Sequence, residues 1–413
     1  MSNINMKGLL KKDGTRTILA SLLSIIIGML AGSIIITIVG LSNETLGVKG
    51  VWDGIRIVFL GLFVKARDTA GNLIFSFNPQ MMGNMLFRAI PVILTGLSVA
   101  VANKTGLFNI GAAGQYLAGT AATLFIALMM PVKGTEMAAW QAAQGIEYAI
   151  TFPAWLVWCL AFLGGMLAGA LWGAIPGLLK ALLNINEVLA CIMTNWIAAN
   201  LVTWVFDISN LKNMVENTKT GYIYKTSFNG VETAKMGLDK IFPGSQVNGG
   251  IIIAAILAVV VYIMLSRTTF GYELKACGSN RLAARYAGIK DKRSIVISMA
   301  IAGALAGAAG SLYYLAGNTE FFWSTYQSLP AVGFNGIPVA LLAANNPLAV
   351  VFTGMFMSML DICGLQLTNL TGFNEYITDV IIAVIVYLAA FSLVLKSFIG
   401  RIGHKHGGKE EGK

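Results

Sequence analysis

Side chains able to make and break bonds are scarce along these 413 residues. His404 and His406 are the only histidines, and both lie in a polar C-terminal tail. Cys159, Cys191, Cys277 and Cys363 fall in separate segments with no CxxC pair, so neither a metal centre nor a disulfide framework is indicated. No catalytic group and no metal site is expected. The apolar segments do hold a set of amides and a few acids: Asn109, Gln115, Asn195, Asn200, Asn335, Gln366, Glu187 and Asp361. A neutral amide donates and accepts at once without fixing a charge, which suits an uncharged polar solute. An ionisable group inside a membrane segment is a functional hypothesis by default. Asp361, in mid-segment, keeps that standing. Glu187 follows Asn184-Ile-Asn186 at a helix start, where the helix dipole accounts for it.

The elements that must position these groups are membrane spans. Hydrophobic residues make up 56% of the chain, charged residues 12%, and the mean hydropathy is +0.72. A soluble chain carries about twice that charge. A spanning helix needs about 20 mostly apolar residues. Ten such runs occur, near 18–41, 85–102, 107–131, 153–178, 187–207, 249–266, 294–316, 329–344, 347–367 and 376–396. Gly, Asn and Pro interrupt the third and eighth. The predicted fold class is therefore all-α and polytopic, one membrane domain over 18–396 between tails at 1–17 and 397–413. With the N-terminus inside, 18 of the 29 Lys and Arg fall in short cytoplasmic pieces. Ten are spread over the long outside loops 42–84, 132–152 and 208–248. That asymmetry puts both termini in the cytoplasm. Basic loops beside an anionic leaflet also explain the net charge of +10 without a nucleic-acid partner. The first run exceeds twenty residues and no A-x-A site follows it, so it reads as a span and not as a cleaved signal.

Two outside stretches are long enough to fold. Residues 55–64 (IRIVFLGLFV) are too short to span and read as an interfacial helix or a packed loop. Residues 208–248 are polar and read as a solvated loop, with contact to an external partner the alternative for both outside stretches. Gly165, Gly169, Gly173 and Gly177 recur every four residues, as do Gly303 and Gly307. Such spacing lets membrane helices approach closely. Two interrupted segments carry more information: Gly106-Leu-Phe-Asn109-Ile-Gly111-Ala-Ala-Gly114-Gln115, and Gly333-Phe-Asn335-Gly336-Ile-Pro338 running on to Asn345-Asn346-Pro347. Matched breaks in opposite halves of a chain point to an internal repeat around a central pathway.

Between Arg267 and Arg293 lies a charged island with seven basic residues against Glu273 and Asp291. Asn280 is a good N-cap and Gly288 suits the closing left-handed position, which bounds one short helix over Arg281–Ala287. Leu282 and Tyr286 share one face, Arg281 and Arg285 another. An apolar knob with a basic side suits a groove in a cytoplasmic partner. An ordinary loop obeying the positive-inside rule accounts for the composition equally.

LFNIGAAGQ (107–115), NEVLACIMTNWIA (186–198), GYELKACGSNRLAARYAGI (271–289) and GFNGIPVALLAANNP (333–347), in that order, resemble the branched-chain amino acid/ribose class of ABC-importer permeases. Within it they are most similar to the nucleoside and simple-sugar branch. Ala113 stands where that branch usually has Glu, and Asn335 where Asp is common. The segment 42–84 is also longer than the resemblance leads one to expect.

The resemblance implies a type II importer-like fold of about ten helices in two pseudo-repeated halves, working beside a second, different permease subunit in a bacterial plasma membrane. It implies a cytoplasmic ATP-binding subunit that holds ATP and Mg, and an extracellular lipoprotein that delivers a small polar solute. The chain itself is expected to be no enzyme and to need no cofactor, since no G-x-x-x-x-G-K-[ST] loop occurs. Asn109, Gln115, Asn195, Asn335 and Asp361 are then the candidate pathway residues. Arg281, Leu282, Arg285 and Tyr286 are the candidates for ATPase coupling, with Asn280 and Gly288 capping their helix in the loop 267–293. Membrane lipid surrounds the whole. Nucleosides are the expected solute, a ribose- or galactose-type sugar the alternative, and a secondary transporter the alternative of another class.

Overall fold

The computed structural model describes residues 13–43, 46–146, 150–216, 221–325 and 327–391. In chain order these form α1 (Asp13–Ser42), α2 (Gly47–Leu60), β1 (Val64–Arg67), β2 (Leu73–Phe75), α3 (Pro79–Lys104), α4 (Ala112–Met129), α5 (Glu136–Ala143) and α6 (Ala154–Leu183). They continue as α7 (Glu187–Ile208), β3 (Tyr222–Ile223), α8 (Leu238–Ile241), α9 (Gly250–Arg267), α10 (Thr269–Ser279), α11 (Arg281–Tyr286) and α12 (Asp291–Tyr314). The last are β4 (Phe321–Phe322), α13 (Ala331–Leu342), α14 (Pro347–Thr371) and α15 (Glu375–Ala390). Among the described residues, eight helices are long and apolar enough to cross a membrane, and two shorter apolar helices accompany them. The chain is all-α and polytopic. Residues 1–12 and 392–413, with both histidines, lie outside the described residues, and residues 13–17, expected in the N-terminal tail, already belong to α1.

Two expected spans are shorter than their apolar runs. The run 107–131 becomes α4, which starts only at Ala112, because Gly106 turns the chain at φ +74° and residues 107–109 are not helical. The run 329–344 becomes the twelve-residue α13, with Pro330 just before it and Pro338 inside it. At 1.5 Å per residue it is about 18 Å long, well short of a bilayer core.

The chain divides into two compact units. The larger, Gly83–Ala340 with Asn345–Met355, is built around α4, α6 and α12. The four-residue glycine spacing is the reason these helices meet. A Cβ at Gly169 would collide with the Gly303 carbonyl and the Gly307 Cα, and one at Gly173 with the Met299 carbonyl and the Gly303 Cα. Backbone therefore packs on backbone, the close approach that small residues permit in a membrane. Thr123 and Ser311 share a hydroxyl–hydroxyl bond of 2.7 Å across the same seam.

Stretch 208–248 differs from the expected solvated loop. β3 pairs with β4, so the loop is stitched to the chain beyond α12. Asn229 Nδ2 donates to the Ala127 and Met130 carbonyls, each at 2.8 Å, tying the loop to the end of α4. Phe206, Leu211, Ile223, Tyr224 and Phe321 make a common core beneath it. Its polar composition hid these few anchors.

The smaller unit comprises Met1–Met82, Leu341–Ala344 and Phe356–Lys413. α1 lies against α15, with Gly28 and Gly32 leaving room for Ile385. Residues 55–64 fall in the second half of a longer helix, α2, and the turn into β1. Arg67 pairs with buried Asp53 at 2.8 Å and donates to the Leu370 and Gly71 carbonyls, locking the β1–β2 hairpin to α2 and to the end of α14.

Candidate translocation site and coupling loop

α3 ends at Lys104, and the chain resumes as helix only at Ala112. Backbone freed by such a break at membrane depth needs partners from the protein. Asn195 supplies two of them, and a network of buried side chains stands beside it. Asn109 Nδ2 donates to Ser98 Oγ at 3.0 Å and to Gln115 Oε1 at 2.8 Å, and Gln115 Nε2 donates back to Asn109 Oδ1 at 3.1 Å. Asn195 on α7 accepts from the Gly114 amide at 2.8 Å and donates to the Ile110 carbonyl at 3.1 Å. The Cys191 thiol lies 3.8 Å from Asn109 Oδ1. Asn109, Gln115 and Asn195 are at most 1% exposed.

The second interrupted segment meets the first. A Cβ on Gly333 would overlap the Ala113 backbone, and one on Gly336 would overlap Thr95 and Gly96. Thr95 Oγ1 donates to the Val332 carbonyl at 3.1 Å. The head of α13, with half-buried Asn335, therefore rests on α3 and on the start of α4. Position 113 has no room for a longer side chain, which gives the alanine there a physical reason. Asp361 belongs to the smaller unit and is exposed on α14.

The charged island holds two helices where one was expected. Thr268 Oγ1 caps α10 by accepting from the Gly271 amide at 3.0 Å, and Asn280 Oδ1 caps α11 by accepting from Ala283 at 3.0 Å. α11 runs over Arg281–Tyr286, with Ala287 as its cap and Gly288 at φ +84° turning the chain away. Leu282 is 69% exposed and Tyr286 94%. Arg281 Nε is bonded to Asp291 Oδ2 at 2.7 Å, so Arg285 is the freer of the two basic groups on α11. An open groove of about 550 Å³ runs between α10 and α11, lined among others by Tyr272, Glu273, Ala276, Ala283 and Ile289. Burial raises the Cys277 thiol above its ordinary range.

A family profile described as "branched-chain amino acid transport system / permease component" matches residues 81–390. The chain belongs to this permease family. It is 32% identical over 388 residues to the guanosine ABC transporter permease protein NupP of Bacillus subtilis, covering 94% of this chain and 97% of that one. It is 34% identical over 382 residues to the nucleoside ABC transporter permease protein NupB of Lactococcus lactis, covering 92% and 93%. The glucose ABC transporter permease protein TsgB13 of Haloferax volcanii is 27% identical over 326 residues, 77% of this chain and 78% of that one. No solved structure matches. The chain is thus a multi-pass transport subunit and one component of a larger system.

In this permease the amides Asn109, Gln115 and Asn195 form one cluster, and α13 carries Asn335 onto the same broken segment. Local pattern did not reveal Ser98 or Gly278. Ser98 lies in an unbroken apolar helix. Gly278, in α10, packs its backbone on Lys104, Thr105 and Gly106, so that a Cβ there would stand 2.8 Å from the Gly106 nitrogen. Glycine at 278 opposite glycine at 106 is the signal that was present, but only the fold pairs them.

Proposed function

We propose that this permease forms half of the conduit of an ATP-driven importer for nucleosides. A second permease subunit completes the conduit, cytoplasmic ATP-binding subunits drive it, and an extracellular lipoprotein delivers the solute. The observation that carries the substrate is the near full-length similarity to permeases named for guanosine and for nucleosides, at 32% and 34% identity. The site chemistry agrees with an uncharged polar solute, since the groups gathered around the broken segment are amides and a hydroxyl. In this reading Asn109, Gln115 and Asn195 hold the wall of the pathway, and Asn335 and Asp361 are further candidates for its lining. The exposed knob Leu282–Tyr286 and Arg285 dock on the ATPase, and closure of that subunit moves the spans on either side of the loop. Both termini lie in the cytoplasm of a bacterial cell. A sugar is the second reading, favoured by the likeness to a glucose permease.

Uptake in cells expressing the whole importer separates the two. Radiolabelled guanosine, adenosine and uridine should accumulate, unlabelled nucleosides should compete, and ribose and glucose should not. Vanadate should stop uptake, and a protonophore should leave it unchanged over short times. Uptake of sugars alone transfers the conduit to the second reading, and loss with the protonophore alone removes the ATP-driven one.

A further inference from the structure

An amide that meets a passing solute needs open hydrogen-bonding positions, and the buried amides of the broken segment have few. Asn109 and Gln115 bond each other in both directions, Ser98 accepts from Asn109, and the Cys191 thiol stands 3.8 Å from Asn109 Oδ1. Asn195 is bonded to the Ile110 and Gly114 backbone. Asn200, five residues further along α7, is different. It is exposed, and its Nδ2 donates to the Trp196 carbonyl at 2.8 Å. Among the described residues that is its one side-chain bond, so Oδ1 and the second N–H stay open.

At about 100° per residue, Asn200 lies about 140° around the helix from Asn195. α7 therefore holds the broken segment with one side and turns Asn200 away from it. Asn200 is about 20 Å from the start of the helix and about 12 Å from its end, well inside the hydrocarbon thickness. Trp196, one turn before it, is 53% exposed, and Trp204, one turn after it, is 58% exposed. The three side chains fall within about 80° of one another. Trp204 is close to the helix end, where the aromatic belt of a membrane accounts for it. Trp196 is near mid-span, where that belt does not.

Other exposed faces of the same unit show what lipid contact looks like. α6 presents Leu163, Leu167 and Leu171, and α9 presents Ile256, Val260 and Ile263, with aliphatic side chains alone along those stretches. An amide with open valences is costly in hydrocarbon, and polar groups at this depth face protein or a water-filled path. The exposed face of α7 carries no charge from Leu189 to Trp204. Its first charge is Asp207, which Lys212 holds at 2.8 Å.

We propose that Trp196, Asn200 and Trp204 are the strip of the conduit that touches the solute, an uncharged nucleoside. The base stacks on the indole rings, a contact open to every base because each has a π-face. The Asn200 amide donates to and accepts from the polar edge of the same solute. The strip takes its occupant from the nucleoside reading above. Asn109, Gln115 and Asn195 then fix the wall, and the opposite side of α7 does the contacting.

The assembled importer in lipid nanodiscs tests it, with single cysteines at 167, 196 and 200 in a chain whose four native cysteines are replaced. A water-soluble methanethiosulfonate should modify 196 and 200 and leave 167, on the aliphatic face of α6, unmodified. Silence at 196 or 200 puts the strip under lipid or a protein partner and overturns the proposal. Uptake by cells expressing the whole importer gives the second reading. Trp196→Leu should lower the uptake of both guanosine and uridine about tenfold, and Trp196→Phe, which keeps a π-face, should retain most of it. Asn200→Leu should lower uptake with the melting temperature of the complex unchanged. Wild-type nucleoside uptake in Trp196→Leu and Asn200→Leu overturns the strip and leaves the nucleoside reading standing. Equal losses in the Leu and Phe variants remove the stacking. No nucleoside uptake by the unmodified importer removes the occupant and the nucleoside reading together.

Discussion

Asn109 sits where the backbone leaves its helix inside the membrane, and its amide satisfies Ser98 and Gln115 at once. Replacing it by Leu leaves both partners buried without it, a loss of about 1–3 kcal/mol. Asn109→Leu should therefore lower both uptake and the melting temperature of the purified complex. Asn335→Leu, at a half-buried position, should lower uptake with little change in melting temperature. Equal melting losses would make Asn335 a packing residue only. The glycine at 278 makes a sharper case. Gly278→Ala places a methyl on the Thr105–Gly106 backbone, which has nowhere to retreat while Gly106 holds its positive φ. The complex should still assemble and hydrolyse ATP, but receptor-stimulated hydrolysis and uptake should fall together. Wild-type uptake in Gly278→Ala would show that the contact yields freely. Asn109, Gln115 and Asn335 were legible in sequence because Gly and Pro break their surroundings. Ser98 and Gly278 were not, because their partners are distant in the chain and only tertiary packing pairs them.

Short helices with their own caps make up the charged loop 267–293, the proposed ATPase contact. α11 was readable from Asn280 and Gly288, whereas α10 was hidden because its cap, Thr268, follows directly on the end of span α9. The two helices make a rigid corner, with Arg281 tied back to Asp291 and Leu282 and Tyr286 pointing outward. Leu282→Asp would carry a charge into an apolar contact, where an unpaired buried charge is costly. Arg285→Glu reverses a charge on the other face. Both variants should insert normally and lose ATPase binding or stimulation, and retained coupling in both would leave the corner as an ordinary basic loop. Arg281→Ala should act differently. It frees Asp291 and loosens the corner itself, so thermal stability should drop even in the isolated permease. The α6–α12 seam was the most legible element, since glycines at strict spacing have one physical use in a membrane.

Among the described residues the ten apolar runs correspond to eight long helices and two shorter ones, so hydropathy located the elements well. It overestimated lengths where Gly or Pro stops a helix before its apolar run ends. It was silent on how 208–248 is held, because Asn229 and the β3–β4 pair act through backbone carbonyls and amides that no composition displays. Orientation rests on the basic residues, 18 of 29 in the short pieces assigned to the cytoplasm. The orientation proposed above places α8 outside and the α10–α11 corner inside, on either side of span α9. Lys240 on α8 is exposed, so a cysteine there should react with an impermeant maleimide in intact cells. A cysteine at Lys292, beside the coupling corner, and one at Lys409 should react only after the membrane is opened. Labelling of 409 from outside with 292 still silent would add or remove one span beyond α12. Labelling of 292 from outside, with 240 silent, would invert the molecule and remove the ATPase from the face on which α11 is exposed.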